Sequence, residues 1–143
     1  MSESIRSNKA AEPVGPYPHA KRVGNLLFLS GLGPRVRGSS AIPGAQLDDH
    51  GRVVSYDIAT QCRAVFDNVR AVLEAAGARW SDIVDVTAFL TNMDDFAEFN
   101  KVYAEYFAGD GKPNPSRTTV EVTRLPTPIA IELKVIAAPT GAD

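Results

Sequence analysis

The stretch from Asp57 to Ala76 limits the possible folds of this chain more than any other. Ile58, Cys62, Val65, Phe66, Val69, Val72, Leu73 and Ala76 recur at steps of three and four and draw one apolar stripe along a helix. Asp57 stands where an N-cap carboxylate belongs and Gly77 where a C′ glycine belongs. A helix of about five turns with one apolar side needs a broad apolar surface to lie on. The rest of the chain must supply that surface as strands.

Val23 to Ser30 (VGNLLFLS) reads as one strand, continuously apolar from Leu26 to Leu29 and so buried on both faces. Arg35 to Gly51 reads as a loop, and Arg52 to Ser55 as a short strand after the Asp49-His50-Gly51 turn. Ile83 to Leu90, Arg117 to Thr123 and Ala130 to Ala137 complete the strands, the last two separated by a turn around Pro126 and Pro128. Asp94 is placed to cap a second helix reaching Phe107, with Phe96, Phe99, Tyr103, Tyr106 and Phe107 at helical steps. This order predicts an α+β two-layer sandwich with both helices on one face of a mixed sheet. The other face carries enough apolar side chains to predict that further copies of the chain cover it. Residues 1–143 form one domain, with 1–10 expected to be a flexible lead and 139–143 a tail. Pro13, Pro16 and Pro18 stiffen the segment between lead and first strand.

Composition narrows the chemistry. A net charge of −2 argues against broad capture of nucleic acid, and no apolar run approaches the ~20 residues that span a bilayer. The opening MSESIRSNKAAEP lacks the apolar core of a signal peptide, and a lone cysteine fits a reducing compartment, so a cytoplasmic location is expected. His19, His50 and Cys62 have no metal-ligand spacing, and there is no phosphate-cradling glycine loop or nucleophile elbow. Neither metal nor cofactor is expected. Acid–base work on water or substrate remains.

In the last strand Glu132 shares a face with Ala130, Lys134 and Ile136, a costly place for a carboxylate unless it is paired or functional. Arg117 opens the face of the preceding strand that also carries Thr119 and Glu121. An arginine fork matches a carboxylate ligand bidentately. On pattern alone, a structural Arg–Glu pair or a glutamate bonded to backbone is the commoner reading.

Four blocks together resemble the RidA/YjgF family: GPYPHA (15–20), NLLFLSG (25–31), DVTAFLTNMDDFAEFNKVYAEYF (85–107) and PSRTTVEVTRLP with IAIELKVIA (115–137). The resemblance implies a chorismate-mutase-like fold with a six-stranded sheet, and a homotrimer, or a dimer of trimers, with active sites between subunits. It also implies cofactor-free hydrolysis of small anionic enamines and imines to ketones and ammonia. By position, Arg117 corresponds to the family's carboxylate-binding arginine, Glu132 to its water-orienting glutamate and Tyr17 to its cleft aromatic, while Ser30 and Gly31 line the cleft. The chain departs from the family at Pro18-His19, where Ser-Gln is common, at Leu32, where glutamine is usual, and at Thr118, where serine or cysteine is frequent.

The PYPHAKRVGNLLFLSG lead-in, the RVRGSSAIPG loop and the TPIAIELKVIA ending look like one branch, the 2-aminomuconate deaminases of bacterial aromatic degradation. Such a substrate carries two carboxylates, so Arg35 or Arg37 is expected to attract the second while Arg117 binds the first. In the expected mechanism Glu132 activates water, and Tyr17, with His19, handles protons at the departing nitrogen. The alternatives are a deaminase of the general family type, acting on 2-iminopropanoate or 2-aminoacrylate, and a non-catalytic ligand-binding or chaperone-like trimer.

Overall fold

The computed structural model describes residues 2–140. Its elements follow as β1 (Ser2–Ile5), β2 (Ala20–Val23), β3 (Leu26–Leu29), β4 (Ala45–Leu47), β5 (Val53–Tyr56), α1 (Ile58–Ala75), β6 (Ile83–Leu90), α2 (Phe96–Phe107), β7 (Ser116–Glu121) and β8 (Ile131–Ala137). Six strands form one mixed sheet in the order β1-β2-β3-β8-β6-β7. Only β6 and β7 run parallel, and a parallel pair needs a crossover, which α2 provides. The short ribbon β4–β5 stands apart from this sheet.

β8 shows how the layers are sorted. Ile131, Leu133, Val135 and Ala137 are buried and alternate with half-buried Glu132, Lys134 and Ile136. The buried set joins Val65, Phe66, Val69, Val72 and Leu73 of α1 and Phe99 and Phe107 of α2 in one core. Both helices therefore lie on one face, as the stripe pattern required. Strand register places Leu26, Phe28, Phe89 and Val120 with Ile136 on the opposite face, where Val120 is exposed and the other four are half-buried. No helix among the described residues is long and apolar enough to cross a membrane.

The first helix begins and ends as its sequence indicated. Asp57 accepts the Thr60 N–H at 3.1 Å. At the other end Ala78 N–H bonds Leu73 O at 2.9 Å and Gly77 N–H bonds Glu74 O at 3.0 Å, a Schellman pair.

Elsewhere the structure corrects the expectations. The stretch 23–30 is not one strand, because Gly24 at φ +59° and Asn25 form a two-residue turn between paired Val23 and Leu26. Residues 2–10 are not a loose lead. Ser2–Ile5 pairs with β2 through backbone bonds that need no apolar pattern, and Ile5, Ser7 and Ala10 are buried. Part of the 35–51 loop forms β4, and Asp94 lies in a 3-10 turn capped by Asn92, with α2 starting only at Phe96. β7 ends at Glu121, two residues early. Of the expected tail, residues 141–143 lie outside the described residues; Thr140 accepts a hydrogen bond from Arg79.

Candidate functional site

A cleft of about 460 Å³, a volume that includes space open to solvent, lies where the chain leaves β3 and enters β8. Tyr17, His19, Ser30, Gly31, Arg35 and Glu132 line it, so six of the eight candidate residues meet there. Arg37 and Arg117 do not.

Glu132 projects from β8 on the face away from the helices. Burial raises its carboxyl above the ordinary 4.5, and no hydrogen bond or neighbouring charge contributes to the shift. The carboxylate lies against Gly31: a Cβ added there would stand 2.6 Å from Oε2 and 3.0 Å from the carboxyl carbon. Only glycine at position 31 lets the carboxylate lie against the chain there.

The lead-in is fastened over this carboxylate by specific bonds. Ser30 Oγ donates to Pro18 O at 2.7 Å, and Ser30 N–H donates to His19 O at 2.9 Å. Tyr17 is half-buried, with its ring folded against Gly15. His19 is 2% exposed and has no free nitrogen. Its Nδ1 accepts from Ser7 N–H at 3.0 Å, so Nε2 carries the proton and donates to Ala11 O at 2.8 Å. His19 therefore holds the N-terminal segment in place, which corrects its expected part in proton transfer.

The two loop arginines separate. Arg37 donates from Nε to Ala10 O at 2.9 Å and from its fork to Ser7 O at 2.6 Å, and it pairs with the Glu12 carboxylate. It clamps the lead-in and does not line the cleft, a correction to its expected substrate contact. Arg35 does line the cleft and donates to Glu12 O.

Sequence reading missed Asn68. From α1 its amide bonds Gly33 O at 2.9 Å and Arg35 O at 2.7 Å while accepting Ala11 N–H at 3.2 Å. One side chain thus joins both walls of the cleft to the helix. The available signal was two amides seven residues apart, Gln61 and Asn68, on one side of the apolar stripe; both are buried. Cys62 is a core residue, its thiol pushed up to about 12 chiefly by burial. Lys134 donates to Leu29 O at 2.5 Å and lies outside the cleft lining.

Arg117 lies elsewhere. It is paired in register with buried Val86, and Val86 with buried Val135, so its side chain points to the helix face. Its guanidinium carbon lies over Tyr103, Phe99 and Phe96 at 4.6, 5.0 and 5.7 Å from the ring centroids. A separate surface depression gathers Arg63, Arg70, Arg79 and Lys112 around Trp80 and Tyr106. The fold assembles this basic and aromatic group from residues too scattered to form a stripe in sequence. Glu105 pairs with Arg63 and Asp82 with Arg79, which offsets half its cations.

Comparison with known proteins places this geometry in a family. The model described as Endoribonuclease L-PSP matches residues 7–139. A RutC family protein of Pyrococcus horikoshii is 42% identical over 96% of this chain and 98% of its own length. The 2-iminobutanoate/2-iminopropanoate deaminase of Escherichia coli K12 is 35% identical over 96% of this chain and 98% of its own. The crystal structure of E. coli TdcF with bound serine superposes with a TM-score of 0.82 at 31% identity, covering 96% of this chain and 99% of that one. The chain, with its two helices on a mixed six-stranded sheet, belongs to the Endoribonuclease L-PSP family, the RidA/YjgF/RutC proteins.

Proposed function

We propose that this protein hydrolyses small 2-imino acids and their enamine tautomers to 2-keto acids and ammonia. The observation that carries the reading is Glu132: an unpaired, half-buried carboxylate of raised pKa lying against Gly31 in a cleft. Such a group suits general-base work on water near neutral pH. The E. coli relative named for 2-iminobutanoate and 2-iminopropanoate supports the substrate class, and the serine-bound neighbour is in keeping with a small amino-acid-like anion.

The atoms balance without a cofactor. An enamine takes a proton at carbon and becomes the protonated imine. Glu132 accepts a proton as water adds to the C=N carbon, giving a neutral carbinolamine. The nitrogen gains a proton from Tyr17 at the cleft wall and leaves as ammonia, and the carbinolamine hydroxyl returns a proton to the Tyr17 oxygen as the carbonyl forms. Arg117 binds the substrate carboxylate. Because Arg117 and Glu132 lie on opposite faces of the sheet in one copy, the working site takes its arginine from a neighbouring copy in a homotrimer.

A second reading is favoured by one observation, Arg35 in the same cleft wall as Glu132. A cation there would receive a second carboxylate, as on 2-aminomuconate. The relatives support the monocarboxylate reading better. Ammonia release from 2-iminobutanoate generated in situ, compared with its decay in buffer, tests the proposal. Acceleration that disappears in Arg117→Ala supports it; no acceleration on either imine class overturns it.

A further inference from the structure

Arg117 is unusual in what it lacks. Among the described residues it makes no ion pair, and the aromatic rings of Tyr103, Phe99 and Phe96 are its close partners. A guanidinium offers five N–H donors in a rigid fork, and rings hold its plane without engaging those donors. Tyr103 is itself held rigidly, stacked on Phe107 at 4.2 Å with 15° between planes and packed against Phe99 at 5.5 Å.

The same place holds two polar anomalies. Tyr103 Oη and Thr119 Oγ1 are buried and have no hydrogen-bond partner. Thr119 follows Arg117 by two residues on β7, so both side chains rise from the same face of that strand. A buried hydroxyl without a partner destabilises a fold by about the same amount as a lost hydrogen bond, so two beside one unengaged arginine call for an explanation. Burial pushes the Tyr103 phenol up to about 12, with Arg117 pulling the other way, so the hydroxyl keeps its proton and remains a donor.

We infer that Tyr103 is a positioning residue for Arg117: its ring fixes the guanidinium fork, and its hydroxyl, with that of Thr119, finds a partner only when a carboxylate occupies the fork. This rests on the proposed role of Arg117 as carboxylate binder and adds residues that set the affinity for that carboxylate. The hydroxyls then leave the free protein less stable than it would otherwise be and strengthen ligand binding.

The test is calorimetric titration of 2-oxobutanoate, the keto-acid product of the proposed reaction, into the full-length wild type, Tyr103→Phe, Tyr103→Leu and Thr119→Val. Tyr103→Leu, which removes ring and hydroxyl, should raise Kd about tenfold. Tyr103→Phe keeps the ring and should raise Kd about fivefold, with a thermal midpoint no lower than wild type. Thr119→Val should behave as Tyr103→Phe does. A merely structural tyrosine would lower the midpoint and leave Kd unchanged, and that result overturns the inference. So does a wild type that binds no keto acid. If Tyr103→Leu fails to fold, Tyr103→Phe carries the test. Imine hydrolysis measured on the same preparations separates the two claims. Turnover with keto-acid binding indifferent to Tyr103 sinks this inference alone, whereas Tyr103-dependent binding without turnover sinks the proposed function alone.

Discussion

Arg117 and Glu132 point to opposite faces of the same sheet. The register runs Arg117–Val86–Val135 across three strands, and Glu132 is offset by an odd number of residues from Val135. Side chains in a strand alternate, so the offset alone sets the two groups apart. Within one copy the two side chains therefore point away from each other. The partly exposed apolar residues Phe28, Phe89, Val120 and Ile136 share the Glu132 face, and the proposed function requires another copy to supply the arginine.

Glu132→Gln keeps the shape and removes the base, so kcat should fall by on the order of 10²- to 10⁴-fold with the fold intact. Stability should move the other way. Burial raises the folded-state pKa of Glu132, so its contribution to stability is complete below the ordinary 4.5 and is lost as pH rises through the raised value. Urea unfolding at pH 4 and pH 8 checks this: the glutamine variant should exceed wild type at pH 8, and the gap should close at pH 4. A gap of the opposite sign at pH 8 would show that Glu132 is paired.

Gly31→Ala places a methyl 2.6 Å from Glu132 Oε2. The neighbour is the far end of a side chain, so the carboxylate swings aside and the fold survives. A misplacement of about 1 Å is enough to lower kcat about a hundredfold. Circular dichroism should be unchanged while steady-state turnover collapses; a variant of wild-type kcat would remove Glu132 from the chemistry.

His19→Ala deletes both bonds that pin Ser7 and Ala11 and leaves buried backbone groups unpartnered. A loss of roughly 2–4 kcal/mol is expected, read by urea unfolding. Limited proteolysis should open the chain first near residues 7–11. Turnover per folded molecule should fall far less than for Glu132→Gln, which distinguishes a holding role from proton transfer.

The sequence showed most where one periodicity ran long. The stripe of α1 and the alternation of β8 foretold the layers, because burial on one side imposes a period on any sequence. It showed least where backbone did the holding. β1 is SESI, with one buried residue in four, and its place comes from pairing with β2. The cleft residues Tyr17, Ser30 and Gly31 were found through resemblance to a family. Asn68, His19 and Arg37 act on backbone carbonyls and amides across the N-terminal segment, and such bonds leave no pattern in sequence. The opposed directions of Arg117 and Glu132 needed the register of three strands, which neither strand contains alone.

Arg35 and Arg37 should differ in kind. Arg37→Ala removes bonds to Ser7 O, Ala10 O and Glu12, so it should lower the thermal midpoint by a few degrees. Arg35→Ala should leave the midpoint nearly unchanged. If dicarboxylates are substrates, it should raise their KM about tenfold and leave monocarboxylate KM within twofold. Equal effects on both classes would remove Arg35 from substrate selection.

The most direct measurement is complementation between two inactive variants. Arg117→Ala and Glu132→Ala are each purified, mixed in equal amounts, dissociated, reassembled and assayed for imine hydrolysis. If each site takes its arginine from one copy and its glutamate from another, random assortment leaves about one quarter of sites intact in a closed ring. The account predicts recovery of about a quarter of wild-type activity. Activity no higher than that of either variant alone, from reassembled particles of native size, would show that both residues must come from one chain and would contradict it.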